Sequence, residues 1–320
     1  MEYRSVADLN DSIVGALPLL PRDVDLIVGI PRSGLLAASI LALHLNLPLT
    51  DVEGFIEGRI LGYGRRYTMG NRKAFDLESV KKVLVLDDSA GSGTTMSKVR
   101  EKLSGSQVSG KEIVYAAVYT DPLTKESVDI AFETCSSPRV FEWNIMHHPV
   151  LSESCVDIDG VLCLDPSVEE NDDSINYLDF LANAKPLVIP TIEVGYLVTS
   201  RLEKYRSETE VWLAKHGVMY KKLFMLDLPD RETRMNLASY ADFKAMVYAE
   251  TNARLFIESS LNQSQEIANL SGKQVLCFET RKMINPEGLV ARSKLLFQKK
   301  GKPAFRKSAF YPIYRFLKGW

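Results

Sequence analysis

The stretch Val83–Thr95 reads VLVLDDSAGSGTT, and it decides the fold of the first half of the chain. Lys82–Leu86 (KVLVL) is a short apolar run that predicts a buried strand. Asp87 and Asp88 stand at its C-terminal end, Ser89–Thr95 forms a loop of small residues, and a helix is expected from about Met96 to Leu103. Working outward, Asp25–Ile30 (DLIVGI) is a second apolar strand ending at Gly-Ile-Pro. A leading helix is expected before it, within residues 1 to about 20. A helix near Leu35–Leu45 follows, with further strands at Pro48–Val52 and Ile113–Tyr119. Strands alternating with helices predict a parallel sheet with right-handed crossovers. Ligands of such sheets lie beyond the carboxyl ends of the strands, where the two acids and the small-residue loop fall. Residues 54–74, rich in glycine and arginine and without a period, are expected to be a mobile loop or ribbon.

The pattern restarts after a connector at Pro138–Ser154. Strands are predicted at Ser154–Ile158, Tyr196–Thr199, Lys222–Met225, Leu255–Ile257 and Gln274–Phe278. Helices are predicted at Ser207–His216, stopped by Gly217, and at Ala241–Thr251. The expected fold is therefore α/β with two domains, 1–150 and 151–287, each a mainly parallel sheet flanked by helices. Residues 288–320 form a basic, aromatic tail.

Composition agrees with this division. The chain has 320 residues, 46% hydrophobic and 25% charged, enough for two cores and unlike disordered, collagen-like or coiled-coil chains. Its 39 basic and 41 acidic residues give a net charge of −2, which argues against a global grip on nucleic acid. The tail holds nine basic residues and no acidic ones, so the body alone has 30 basic against 41 acidic, or −11. The tail's Phe297, Phe305, Phe310, Tyr311, Tyr314, Phe316 and Trp320 suit an anionic membrane surface. A strap packed on the acidic body and an RNA contact are the alternatives. The four cysteines form no CxxC pair, which excludes a common zinc pattern and fits a reducing compartment. With no signal-peptide pattern and no long apolar run, the expected location is cytoplasmic, with peripheral contact at the inner face of the membrane through the tail.

Two segments carry chemistry. In the first, small residues let backbone N–H groups approach an anion, and a helix N-terminus adds its positive end. Ser92, Thr94 and Thr95 offer hydroxyls, and the Asp87–Asp88 pair suits ribose hydroxyl donors. A Ser/Gly turn with Asp88 as a helix cap is the alternative. In the second, Cys155–Leu162 reads CVDIDGVL: Asp157 and Asp159, two apart on an extended strand end, point the same way, and Gly160 permits a sharp exit. One acid can attack phosphorus while the other works as acid and base. A calcium-like or capping pair is the alternative. His147 and His148 are read as linker or interdomain packing.

The first segment resembles the PRPP-binding motif of type I phosphoribosyltransferases, over roughly Asp25–Thr120. The resemblance assigns Asp87 and Asp88 to the ribose hydroxyls and Ala90, Gly91, Ser92, Gly93, Thr94 and Thr95 to the 5-phosphate. It assigns Arg32, Ser33 and Gly34, after the strand DLIVGI, to the pyrophosphate of PRPP. Residues 58–66 fall where that family has a flexible lid, with Arg59, Tyr63, Arg65, Arg66 and Lys73 placed to cover the pyrophosphate. Glu53, Glu57 and Asp121 are candidates by location for a base that activates a hydroxyl acceptor.

The second segment resembles motif I of haloacid dehalogenase-like (HAD) phosphatases. That resemblance implies Asp157 as nucleophile and Asp159 as acid. It places Thr199 on the phosphoryl group, with Ser200 and Arg201 adjacent, Lys244 as the neutralising cation, and Mg²⁺ on Asp157, Asp159 and Glu258. Ser259 and Ser260 stand where the family often has a second acid. The pair of domains resembles bacterial glycan phosphoribosyltransferase–phosphatase pairs, which place ribofuranose in surface polysaccharides. The implied partners are PRPP and a glycan acceptor, in lipid-linked form where the tail meets the membrane. A nucleobase phosphoribosyltransferase with a nucleotidase domain and a PRPP-sensing regulator are the other readings.

Overall fold

The structure, a computed structural model, describes residues 1–63, 77–230, 232–233 and 240–287. The basic tail, Arg65, Arg66 and Lys73 lie outside the described residues. Two compact units divide at Trp143/Asn144, inside the stretch expected to be a connector.

In the first unit, Glu2–Arg4 (β1) precedes the leading helix Val6–Ala16 (α1). Ser5 and Asp8 close a reciprocal capping box at the start of α1, each side chain meeting the other's backbone N–H. The strands are Leu26–Gly29 (β2), Leu49–Asp51 (β3), Lys82–Ala90 (β4), Glu112–Thr120 (β5) and Ile130–Thr134 (β6). They form one parallel sheet in the order β3-β2-β4-β5-β6. Helices Ser33–Leu45 (α2), Val52–Glu57 (α3) and Thr94–Ser104 (α4) connect them. Alternate residues of β4 serve opposite faces. Leu84 and Leu86 pack with Leu9, Ile13 and Leu41, while Val83 and Val85 pack with Phe55, Met96 and Leu103. Each such side chain contributes about 1.5–3 kcal/mol when buried.

Three expectations are corrected here. Val52–Glu57 is helical rather than loop, because Asp51 accepts the Gly54 N–H at 2.6 Å as an N-cap and Gly58, at φ +78°, ends the turn. β4 continues past Leu86 through both acids to Ala90, held by pairing of Asp87, Ser89 and Ala90 with β5. The connector contains a strand, Arg139–Phe141 (β7), which pairs in parallel with β1.

In the second unit, Ser154–Val156 (β8), Val194–Leu202 (β9), Tyr220–Leu226 (β10), Leu255–Glu258 (β11), Val275–Cys277 (β12) and Lys282–Ile284 (β13) form a sheet in the order β10-β9-β8-β11-β12-β13. All its pairs are parallel except β12 with β13. The helices are Ile175–Asn183 (α5), Arg206–Lys215 (α6), Tyr240–Glu250 (α7) and Leu261–Ser271 (α8). The strand expected to end at Thr199 runs on through Ser200 and Arg201 to Leu202.

Strand order reverses between β2 and β4 in the first sheet and between β8 and β11 in the second. Such reversals open a crevice at the carboxyl ends of the strands. The segments singled out from sequence flank these two crevices.

Candidate active sites

At the first reversal, Asp87 and Asp88 are both buried. Burial, and next the charge of Asp88, push the Asp87 carboxyl up to about 8. Asp87 Oδ1 accepts the Asp88 backbone N–H at 2.9 Å. Gly34, the second residue of α2, lies directly against this acid: a Cβ there would stand 2.7 Å from Asp87 Oδ1 and 3.0 Å from Asp87 Cα. Gly34 therefore secures close packing of α2 on β4, in addition to its place in the loop after β2. Arg32 is exposed beside it, and the Pro31–Arg32 peptide is cis.

The small-residue loop turns at Gly93, whose φ is +75°, and α4 begins at Thr94. Ala90, Gly91, Ser92, Gly93 and Thr95 line a recess of about 30 Å³ with Asp87, Ser89 and Met96. Ser92 Oγ and Thr94 Oγ1 lie 2.9 Å apart. The recess thus gathers backbone amides, hydroxyls and a helix start, a combination suited to a phosphate.

Sequence reasoning missed two side chains from the connector. Arg139 donates through Nη2 to Ser89 Oγ at 3.0 Å, which places a guanidinium beside the loop. Trp143 Nε1 donates to Asp88 Oδ2 at 2.9 Å. Their signal is the basic-aromatic run RVFEW at Arg139–Trp143.

The candidate bases are all engaged. Glu53 pairs with Lys102, and Glu57 lies 3.7 Å from Arg59. Asp121 accepts the backbone N–H groups of Leu123 and Ser137, and these bonds hold its carboxyl below the usual range. Of the lid residues, Arg59 pairs with Asp51 at 3.4 Å and Tyr63 is exposed.

At the second reversal, Asp157 follows β8 and its backbone N–H bonds to Ile257 O of β11. Lys244, from α7, reaches between two strand ends. Its Nζ donates to Asp157 Oδ2 at 2.6 Å and to Glu258 Oε2 at 2.7 Å, with all three side chains at most 5% exposed. Burial alone would lower the Lys244 ammonium, but Asp157 and Glu258 outweigh it and hold the group above its usual value. Burial dominates at Asp157, with Glu258 and Asp159 adding to it and Lys244 opposing, so that carboxyl sits well above its usual range. The Asp157–Lys244–Glu258 cluster carries one acid more than it has bases, and it favours one further positive charge.

Asp159 does not join these three. The fully buried Arg201 grips it in a bidentate pair, Nη2 to Oδ1 at 2.6 Å and Nε to Oδ2 at 3.0 Å. Thr199 is fully buried, and its Oγ1 accepts the Arg201 backbone N–H at 3.2 Å. Gly160, four residues beyond β8, turns at φ +73°, where a Cβ would come within 2.5 Å of Ser259 Cβ and 2.7 Å of Asp165 Oδ2. Asp165, absent from the sequence reading, is raised by burial and then by Asp159 and Glu258, so it belongs to the same electrostatic group. Among the described residues, no three His, Cys, Asp or Glu side chains gather in a metal-binding arrangement. Lys244 occupies the space between Asp157 and Glu258, and Arg201 draws the Asp159 carboxylate aside. The carboxyl oxygens of Asp157, Asp159 and Glu258 are nonetheless the donor type that a hard divalent cation takes.

Comparison with known proteins bears on the first unit. Residues 3–152 match the family model of the phosphoribosyl transferase domain. The matched segment contains the strand, acids and loop of the first site. Solved structures similar to the chain include the Helicobacter pylori xanthine-guanine-hypoxanthine phosphoribosyltransferase, at 16% identity over 45% of this chain and 92% of that one, with TM-score 0.32. The purine phosphoribosyltransferase of Pyrococcus horikoshii is 22% identical over 44% of this chain and 92% of that one, with TM-score 0.32. The orotate phosphoribosyltransferase of Aeropyrum pernix is 23% identical over 40% of this chain and 71% of that one, with TM-score 0.27. The family match supports a phosphoribosyl transferase domain over residues 3–152. No curated protein matches the chain. No helix among the described residues is long and apolar enough to cross a membrane.

Proposed function

We propose that the chain transfers 5-phosphoribose from PRPP to a glycan hydroxyl and then removes the 5-phosphate, leaving ribofuranose on the acceptor. The first step draws support from the family match and from the recess beyond β4. The acceptor oxygen bonds to C1 as the bond from C1 to pyrophosphate breaks, and the hydroxyl proton passes to the departing pyrophosphate or to water. Asp87 and Asp88 hold the ribose hydroxyls, residues 90–95 hold the 5-phosphate, and Arg32, Ser33 and Gly34 hold the pyrophosphate. Catalysis here is mainly positioning and charge stabilisation.

The observation that carries the second step is the buried Asp157–Lys244–Glu258 cluster at the strand ends of a parallel sheet. It matches the HAD-like reading in which an Asp157 oxygen bonds to phosphorus, the sugar oxygen leaves with a proton from Asp159, and water then releases phosphate. Lys244 orients the Asp157 carboxylate and offsets charge, and Thr199 sits beside the phosphoryl position. Because Arg201 holds both Asp159 oxygens, proton donation by Asp159 requires that pair to part. Mg²⁺ would be held by Asp157, Glu258 and the Asp159 carbonyl, and would supply the positive charge the cluster favours. A phosphatase on the same chain gives the 5-phosphate a direct fate. A cytoplasmic setting, with residues 288–320 meeting the membrane, suits a lipid-linked acceptor.

The test incubates the full chain with PRPP, Mg²⁺ and a panel of synthetic bacterial glycans and nucleobases, following acceptor mass. A glycan should gain plain ribose with wild type and phosphoribose with Asp157→Asn. Reaction of a nucleobase alone would replace the glycan reading with base salvage. PRPP binding without any product from this panel would withdraw the glycan claim in favour of a PRPP sensor.

A further inference from the structure

We propose that Trp143 is a positioning residue of the phosphoribosyl site, its indole N–H fixing the Asp88 carboxylate in the orientation that receives the ribose hydroxyls of PRPP. The proposal rests on the phosphoribosyltransferase reading of the first unit and extends it to a side chain outside both loops.

The geometry runs outward from β4. Leu84 and Leu86 face the α1–α2 side of the sheet, and Asp88 continues that alternation. Trp143 packs against the same cluster and donates from Nε1 to Asp88 Oδ2 at 2.9 Å. The donor is itself held. Trp143 stacks on Phe141 with ring centres 4.8 Å apart and planes within 5°, and Phe141 stacks on Tyr119 at 5.4 Å. The Tyr119 hydroxyl lies 3.1 Å from Ser12 Oγ on α1. A ladder of three rings therefore ties the indole to β5 and α1.

A tryptophan needs no carboxylate in order to stack, and a buried indole N–H could be satisfied by any backbone carbonyl. Here it meets the acid at the carboxyl end of β4, beside the phosphate recess. An aspartate at a strand end can rotate about its side-chain torsions. One directional N–H on Oδ2 restricts that rotation. The ordering cost is then met on folding rather than on binding. Asp87 is ordered by a different route, beneath Gly34 and against the Asp88 backbone. The two carboxyls also meet each other, and Trp143 adds a donor that reaches Asp88 alone.

The experiment is calorimetric titration of the full chain with PRPP and Mg²⁺, for wild type, Trp143→Phe, Trp143→His, Asp88→Asn and the double variant Asp88→Asn/Trp143→Phe. Phe keeps a ring against Phe141 and removes the donor, whereas His keeps both a ring and an N–H. Trp143→Phe should weaken PRPP binding about ten-fold, as loss of a hydrogen bond to a charged group does, and Trp143→His should recover most of it. In the Asp88→Asn background the Phe substitution should add less than about two-fold, because the two residues act through one contact. Equal weakening by Phe and His would show a packing role and overturn the proposal. So would a Phe variant that binds like wild type, or a Phe effect undiminished by Asp88→Asn. Each of these outcomes leaves the phosphoribosyl reading standing, whereas a wild-type chain that fails to bind PRPP removes that reading and the role of Trp143 with it.

Discussion

Replacing Lys244 with Met tests the electrostatic logic of the second site, because the side chain keeps its length and apolar stem and loses only the charge. In the native chain one ammonium serves Asp157 at 2.6 Å and Glu258 at 2.7 Å, all of it out of water. Breaking a buried ion pair from one side costs about 3–5 kcal/mol. A second route gives a similar figure. With Asp157 already raised, loss of Lys244 leaves Glu258 without its counter-charge, and protonating that carboxyl about three pH units above an ordinary carboxyl value costs about 4 kcal/mol at 1.4 kcal/mol per unit. Lys244→Met should therefore lose about 4 kcal/mol at pH 7.5. The sign of the pH dependence follows from the same step. An acid whose folded value is raised carries stability that is present at low pH and lost as pH rises, so the deficit should shrink to about 1–2 kcal/mol at pH 5. Urea unfolding of both proteins at each pH, followed by tryptophan fluorescence and circular dichroism, reads the difference directly. Trp212, fully buried in the second unit, reports on the part of the chain concerned. A deficit below about 1 kcal/mol at pH 7.5, or one that does not shrink at pH 5, would refute the reasoning.

The first site yields two further predictions. Gly34→Ala would place a Cβ 2.7 Å from Asp87 Oδ1 and 3.0 Å from both Asp87 Cα and Leu86 O, and backbone cannot yield as a side-chain tip can. A loss of about 1–3 kcal/mol in urea unfolding, with weaker PRPP binding, is expected; a variant as stable as wild type would show that α2 shifts freely on β4. Asp87→Asn bears on the buried acid held at about 8. In wild type the stability carried by the protonated acid is lost as pH rises from about 4 toward 8, and the amide has no such loss. The variant should gain on wild type between pH 6 and pH 8.5 by an amount on the order of 1–3 kcal/mol, and parallel stability profiles would contradict the raised value.

How much of this was legible in the sequence depends on what announces each feature. The strands Val83–Leu86 and Leu255–Ile257 are apolar runs buried on both faces, so composition alone marks them. β1 and β7 have three residues each, and they exist only because they pair with each other across the length of the unit, which no local period reveals. Helix α5 was readable. Tyr177, Phe180 and Leu181 are its buried stripe at i, i+3 and i+4, hidden only from a reading that looks first for strands. Polarity marks the ends of β4 and β9 too early, because pairing with a neighbour carries each strand on through Asp88 and Arg201.

The candidate sites divide along the same line. An acid at the carboxyl end of an apolar strand breaks the run, and the break is visible: Asp87, Asp88, Asp157 and Glu258 all stand out this way. The group that holds such an acid leaves no equivalent mark. It needs one donor within reach, and a distant part of the chain can provide it. Trp143 for Asp88 and Lys244 for Asp157 and Glu258 come from separate segments, and Arg201 for Asp159 comes from the next strand over. Of these, the resemblance implies Lys244 and names Arg201 only as a neighbour of Thr199, and no strand-end motif marks Trp143. In both units a buried carboxylate is tolerable only with its donor in place, since an unpaired buried charge is costly. The orientation of each acid toward a substrate is consequently set by residues that the strand-end motifs do not contain, and variants of Trp143, Lys244 and Arg201 should separate binding geometry from the chemistry of the acids themselves.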